Sequence, residues 1–242
     1  MSVPALAFEA IHFRYPGFEQ PALRDASLSI QPGQKVALLG RNGAGKTSLL
    51  LHGNGLLRPD QGRVLIAGQP LDYGRRGLLA ARQQVGLVFQ NPDDQLFSAS
   101  VAQDISFGPL NLGLAEAEVR RRVREAAEQC QVADLLERPT HALSGGQKAR
   151  VALAGVLAMR PLVVLADEVT AGLDPWMRRQ TLEIFAALAA GGTAVLLSTH
   201  DLEAARAWAD LIALMEDGQV AALAPPAQIF ASPDMRRRIG DL

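Results

Sequence analysis

Apolar residues in this chain fall into two alternating patterns. Short runs at 35–39, 85–89, 162–166 and 194–197 are almost wholly apolar. Such runs predict strands covered on both faces, as in a parallel sheet. Near the start, Phe8, Ile11, Phe13 and Tyr15 partly alternate with other residues. That pattern predicts a strand over 6–15, ended by Pro16-Gly17. A second strand is expected at 26–30, and Pro32-Gly33 turns the chain into the run at 35–39. The turn Arg58-Pro59-Asp60-Gln61-Gly62 leads to another strand at 63–67. Strands at 211–215 and 219–223 flank Asp217-Gly218, the strongest short hairpin signal.

The longer stretches read as helices. One over 47–57 follows the first buried run. From Asn91-Pro92-Asp93-Asp94 to about residue 160 the chain is mostly helical. Within it, 116–129 carries an apolar stripe of Val119, Val123, Ala126 and Ala127 opposite Arg120, Arg121, Arg122, Arg124 and Glu125. This arginine run is a solvated helix face rather than a binding patch. A helix over 144–159 begins at Ser144-Gly145-Gly146 and ends before Pro161. Helices at 175–190, stopped by Gly191-Gly192, and at 202–209 follow, with a short helical tail at 227–231 and 234–239. Segments of α/β character at both ends thus enclose an α-helical middle. The expected organisation is one domain over 1–242, with a core at 1–91 and 161–242 and an inserted helical subdomain at 92–160.

Composition narrows the function classes. The 242 residues are 48% hydrophobic, ample for a core. A net charge of -1 argues against a large basic surface, so no nucleic-acid partner is expected. No apolar run approaches the roughly 20 residues that a membrane helix needs. Met1-Ser2-Val3-Pro4-Ala5 shows no basic region followed by an apolar one, so no signal peptide is visible. The single cysteine, Cys130, cannot form an internal disulfide and is expected to be a packing residue in a reducing cytoplasm.

The chemistry centres on Gly40-Arg41-Asn42-Gly43-Ala44-Gly45-Lys46-Thr47, which fits G-x-x-x-x-G-K-[ST], the phosphate-binding loop, between a buried strand and a helix start. Glycines let backbone N–H groups close around an anion, and the helix N-terminus adds donors and a positive dipole. Lys46 is expected on the β- and γ-phosphates and the Thr47 hydroxyl on Mg²⁺. A second element, Val163-Val164-Leu165-Ala166-Asp167-Glu168, is a buried run ending in two acids. It delivers carboxylates to the sheet edge where α/β folds hold ligands. Asp167 is expected to support Mg²⁺, and Glu168 to polarise the water that attacks the γ-phosphate.

Three further elements stand in order: Leu143-Ser144-Gly145-Gly146-Gln147, Ala171-Gly172-Leu173-Asp174 and Ser198-Thr199-His200-Asp201. Together with the phosphate loop and the acid pair they resemble the ABC-transporter ATPases, over nearly the whole chain. The resemblance implies an α/β fold: a phosphate-loop core with a RecA-like parallel sheet, an N-terminal antiparallel β part, and the inserted helical subdomain. It implies a head-to-tail dimer with ATP sandwiched between the copies. Gly40 to Thr47 and the adjoining Ser48 would bind ATP, together with Ser144, Gly145, Gly146 and Gln147. Lys46 and Thr47 of one copy would face Ser144 and Gly146 of the other, with Asp174 lining the interface. His200 would hydrogen-bond the γ-phosphate and help hold the attacking water. Gln90, at the joint between subdomains, would reach Mg²⁺ and that water. Tyr15 would stack on adenine. His12, His52 and His141 match no motif.

The stretches 89–97, 107–114 and 144–148 further resemble the energy-coupling-factor group of ABC ATPases, most of all the cobalt-transport (CbiO-like) subunits. That likeness implies a peripheral subunit on the cytoplasmic face of the cell membrane. It would drive uptake through a membrane coupling subunit and a substrate-binding membrane subunit, with Asp93 to Phe97 lining the groove for the coupling helices. No Cys/His cluster has metal-ligand spacing, so cobalt would be bound by another subunit. Nickel, a vitamin or another small solute stay open as cargo, as does a low-turnover regulatory subunit. The chain lacks the extended C-terminal segment of some relatives, which favours two identical copies. Two positions depart from the family pattern: Val169 stands where a proline is usual, and Ala166 where a large aliphatic is common. Valine restores an N–H and some backbone freedom beside Glu168.

Overall fold

The computed structural model describes residues 3–239; Met1, Ser2 and residues 240–242, which the expected domain and N-terminal reading include, lie outside it. The chain runs through β1 (Leu6–Phe13), β2 (Leu23–Ile30), β3 (Lys35–Leu39), α1 (Lys46–Gly53), β4 (Gln61–Ile66), β5 (Gln69–Pro70), α2 (Arg75–Gln84) and β6 (Val85–Val88). Then come α3 (Val101–Asn111), α4 (Glu116–Gln129) and α5 (Gly145–Leu157). The last part is β7 (Val163–Asp167), α6 (Pro175–Ala190), β8 (Ala194–Ser198), α7 (Leu202–Trp208), β9 (Leu211–Glu216), β10 (Gln219–Ala224), α8 (Pro226–Ala231) and α9 (Pro233–Ile239).

Two sheets result. The N-terminal one has the order β2-β1-β4-β5, with antiparallel pairing throughout. The larger has the order β10-β9-β3-β8-β7-β6. Strands β9, β3, β8, β7 and β6 are parallel, and β10 returns antiparallel as a hairpin partner of β9. Asp217 and Gly218 turn that hairpin at φ 45° and 79°, the left-handed pair that a tight primed turn requires.

The unbroken apolar runs are covered on both faces because the parallel sheet is a middle layer. Val163, Leu165, Ala194 and Leu196 face the N-terminal sheet and α1, packing with Leu6, Phe8, Leu49 and Leu50. Val164, Ala166, Val195 and Leu197 point the other way, into a second cluster with Ile105, Val123, Val151 and Phe185. This second cluster joins α3, α4 and α5 to the sheet itself, so α5 belongs to the helical part and to the core. Trp208 closes one side of it, its indole N–H donating to the Leu182 carbonyl oxygen at 3.1 Å. A third, smaller cluster of Ala37, Leu39, Ile212 and Leu214 lies under Ile229 of α8.

The stripe of α4 is buried as its spacing requires, and its arginines pair along the helix surface, Arg121 with both Glu118 and Glu125. Cys130 is buried, and burial pushes its thiol up to about 12, so it packs rather than reacts. The expected helix at 47–57 ends at Gly53, where a Gly53-Asn54-Gly55 segment removes side-chain support. Helix α2 and the short β5 were not expected. Of α2 only Ala81 is buried.

What positions the site is the shared edge of the parallel strands. Asp167 is in register with Ser198 across β7 and β8, and Leu38 with Ser198 across β3 and β8. The segments leaving β3, β6, β7 and β8 therefore emerge side by side. They carry the phosphate loop, Gln90, Glu168 and His200.

Candidate nucleotide-binding site

A cleft of about 650 Å³ opens at this edge, lined by Tyr15, Phe18, Gln20, Pro21, Ala22, Arg41 to Ser48, Gln90, Asp167, Glu168 and His200. Its floor is the phosphate loop. Gly40 and Gly45 adopt φ 151° and 101°. A Cβ on Gly40 would lie 2.4 Å from the Met215 carbonyl oxygen, and one on Gly45 would lie 2.7 Å from that of Ala22. Only glycine lets the loop run this close to its neighbours with those dihedrals. Lys46 is buried and folds its Nζ back to donate to the Gly40 carbonyl at 2.7 Å and the Arg41 carbonyl at 3.4 Å.

The wall opposite Lys46 is acidic. Glu168 takes a left-handed φ of 50°. Its N–H donates to the Ser198 carbonyl at 3.2 Å and to Ser198 Oγ at 3.0 Å. The Ser198 hydroxyl in turn donates to Asp167 Oδ1 at 2.6 Å. One serine thus orients both acids. Glu168 Oε1 lies 2.9 Å from His200 Nε2 and 3.8 Å from Lys46 Nζ. It is buried without an aligned hydrogen bond among the described residues, so these approaches are electrostatic contacts. Burial raises the Glu168 carboxyl above the usual range, against the pull of His200 and Lys46. Burial likewise lowers the Lys46 ammonium, with Glu168 and Asp167 opposing it. Val169 buries its side chain in the second cluster, and its N–H makes no hydrogen bond among the described residues.

At the other end of the cleft, the Tyr15 hydroxyl and Ser48 Oγ are 3.1 Å apart. The Tyr15 ring meets Phe13 edge-on at 4.9 Å and Phe18 at 6.2 Å. Behind it His52 is buried, with Nδ1 2.7 Å from the Ser48 carbonyl oxygen.

The fold therefore brings together Tyr15, Arg41 to Ser48, Gln90, Asp167, Glu168 and His200, with Gly40 on an adjoining cavity that Arg41, Asn42, His200 and Ile239 also line. Ser144, Gly145, Gly146, Gln147 and Asp174 do not line the cleft of their own chain. Ser144 and Gln147 cap α5 reciprocally, and Asp174 caps α6 by accepting from Trp176 and Met177 N–H at 2.9 and 3.0 Å. Sequence reasoning passed over Phe18, Pro21 and Ala22 in the cleft, and Ser198 as the hinge of the acid pair. An aromatic just after Pro16-Gly17 was the available signal for Phe18.

The donor set fits a phosphate chain with a hard cation. The curled loop and buried Lys46 face an orphaned carboxylate oxygen. The Thr47 hydroxyl, Gln90 amide and Asp167 carboxylate supply oxygen donors of the kind Mg²⁺ takes. Among the described residues, no three His, Cys, Asp or Glu side chains are grouped to hold a metal ion by themselves.

The segment after Gln90 does more than cover the joint. Gln95 accepts from the Phe89 N–H at 3.2 Å and donates to the Ala152 carbonyl of α5 at 2.7 Å. Asp93 pairs with Lys148 Nζ of α5 at 2.6 Å. Gln95 therefore points inward and ties the end of β6 to α5, whereas Phe97 is 65% exposed beside Phe107.

Known proteins share the sequence and the fold. Residues 23–171 match the family model for ABC transporters. The chain is 52% identical over 228 residues to the cobalt import ATP-binding protein CbiO of Rhodobacter capsulatus, covering 94% of this chain and 81% of that one. It is 44% identical over 228 residues to the energy-coupling factor transporter ATP-binding protein EcfA of Methanocaldococcus jannaschii, with 94% and 81% covered. Among solved structures, cbiO1 from Clostridium perfringens, part of the ABC transporter complex cbiONQ, superposes with a TM-score of 0.87 at 39% identity, covering 99% of this chain and 95% of that one. A dimeric ATP-binding cassette in a post-hydrolysis state, bound to ADP and Pi, superposes with a TM-score of 0.83 at 26% identity, covering 91% and 98%.

Proposed function

Since the chain belongs to the ABC transporter family as an ATP-binding, ATP-hydrolysing cassette, we propose that it powers an energy-coupling-factor importer whose cargo is a transition-metal ion, cobalt first. The metal assignment is supported by the 52% identity to a cobalt import ATP-binding protein over 94% of this chain. The catalytic reading is carried by one observation: Glu168 Oε1, buried and without an aligned hydrogen bond, 2.9 Å from His200 Nε2 and 3.8 Å from Lys46 Nζ.

On this reading Lys46 exchanges the Gly40 and Arg41 carbonyls for the β- and γ-phosphate oxygens of ATP. Tyr15 meets the adenine. Glu168 takes the proton of the attacking water while the bond between the γ-phosphorus and the β–γ bridging oxygen breaks. Burial makes that carboxylate a stronger base than an exposed one. His200 steadies the γ-phosphate and the water. Thr47, Gln90 and Asp167 would hold Mg²⁺, which neutralises charge on the phosphates.

Residues 92–160 act as the helical subdomain that presents Ser144 to Gln147 to the ATP of a second, identical copy in a head-to-tail dimer. Among the described residues no helix is long and apolar enough to cross a membrane. The chain works at the cytoplasmic face, on a membrane coupling subunit and a substrate-binding membrane subunit, near Asp93 to Phe97. The test is to co-purify the chain with its membrane partners, reconstitute the complex in vesicles and measure ATP-dependent uptake of Co²⁺, Ni²⁺ and vitamins in parallel. Uptake of Co²⁺ above the others is expected. Uptake of a vitamin alone overturns the metal assignment.

A further inference from the structure

The first turn of α6 makes two contacts in different directions. Met177 covers Gly146 at the start of α5 so closely that a Cβ on Gly146 would lie 1.9 Å from Met177 Cε. The next residue, Arg178, donates from Nη1 to Asp201 Oδ2 in an ion pair. Asp201 directly follows His200. Its Oδ1 accepts from the Ala204 N–H at 2.9 Å as the cap of α7, and its own N–H donates to Thr199 Oγ1 at 3.1 Å. The His200 side chain is 52% exposed and is held by no hydrogen bond among the described residues, yet Nε2 stands 2.9 Å from Glu168 Oε1. The placing of this ring is therefore set by its electrostatic contact with Glu168 and by the backbone on either side of it, and Arg178 grips one side.

We propose that Arg178 is a positioning residue for His200: it ties the His200 segment to the first turn of α6, so that the ring follows that turn and the Gly146 end of α5 packed on it. The proposal rests on the role of His200 given above. It has a structural consequence for the head-to-tail dimer. One chain lends its cleft to one ATP and its Ser144–Gly146 end to the other. Two adjacent side chains, Met177 and Arg178, would connect those two ends within a chain. The ion pair is part-buried, its side chains 38% and 22% exposed, so the thermal melt below separates a stability role from a positioning one. The α7 cap uses the other carboxylate oxygen and survives without Arg178.

The test is steady-state ATPase kinetics and thermal melting on the full chain, with Arg178→Ala, Arg178→Lys, His200→Ala and the Arg178→Ala/His200→Ala double variant. Arg178→Ala is expected to lower kcat about tenfold or more at unchanged KM for ATP and unchanged Tm, since small misplacements are costly to a positioned reaction. Arg178→Lys should recover most of the loss. In the His200→Ala background the Arg178 change should have no further effect, because it acts through His200. Multiplying losses in the double variant, an unchanged kcat, or a rate that falls only together with Tm would each overturn the proposal. If His200→Ala itself turns over at the parental rate, the role of His200 fails and the proposal with it. A slow His200→Ala beside a fast Arg178→Ala sinks the proposal alone.

Discussion

Lys46 and Glu168 face each other across 3.8 Å at the base of the cleft, their side chains only 7% and 9% exposed. Burial works against the charge of each, and each charge partly restores the other. On the proposed reading, a phosphate entering between them would take Lys46 from the loop carbonyls and leave Glu168 facing the water.

Lys46→Ala is accordingly expected to abolish useful ATP affinity, because it removes the cation from the phosphates. Isothermal calorimetry with Mg²⁺ and ATP measures this directly. Binding at the parental affinity would show that the loop backbone alone suffices.

Glu168→Gln keeps the size of the side chain and its backbone bonds to Ser198, so ATP should still bind. Turnover should fall about 10²–10⁴-fold, as expected for removal of a positioned base. An ATP-bound dimer should then accumulate on size-exclusion chromatography with Mg²⁺. Phosphate release at the parental rate would mean that another group takes the proton.

Gln95 and Asp94 sit side by side yet should behave differently. Gln95→Ala breaks the bonds to Phe89 and Ala152, leaving a partly buried N–H and carbonyl short of a partner. A loss of about 1–3 kcal/mol is expected in chemical denaturation. Asp94 is exposed, and Asp94→Ala should leave stability unchanged while weakening uptake by the reconstituted importer. Equal effects of the two on stability would contradict the inward placing of Gln95.

The contrast between these neighbours shows where sequence was legible and where it was not. Helices at Glu116–Gln129 and Pro175–Ala190 have the expected bounds, because a clear stripe or a Pro start and Gly-Gly stop marks each locally. Strand β3 and the phosphate loop were legible for the same reason: their signals are contiguous. The joint around Gln90 was located by motif, but Gln95 was expected to face a partner. Its bond to Ala152 joins residues 57 apart, and no local pattern reports that. Ser198 with Asp167 and Arg178 with Asp201 escaped notice likewise. Ser144 to Gln147 do not line the cleft of a single chain; by resemblance they are assigned to the ATP of a second copy.

His52 makes stability depend on pH. Burial lowers its imidazole below the ordinary 6.5, outweighing the Ser48 carbonyl and the charge of Asp60, which both raise it. Nε2 is buried with no hydrogen-bond partner among the described residues. The unfolded chain therefore takes the proton first as pH drops. Stability from this site is whole above about 6.5 and is lost below it as acid favours the unfolded state. Thermal melts at descending pH should show a steeper fall in the parent than in His52→Leu. Parallel curves would place the acid sensitivity elsewhere.

The first turn of α6 also gives the protein an optical label. Trp176 is 60% exposed there, beside Met177 and Arg178, while Trp208 is 8% exposed, and the sequence has only these two tryptophans. A wet indole emits to the red of a dry one and is open to small quenchers. The red part of the emission therefore belongs to Trp176, and any molecule that settles over that turn will shift it, with no dye and no substitution needed.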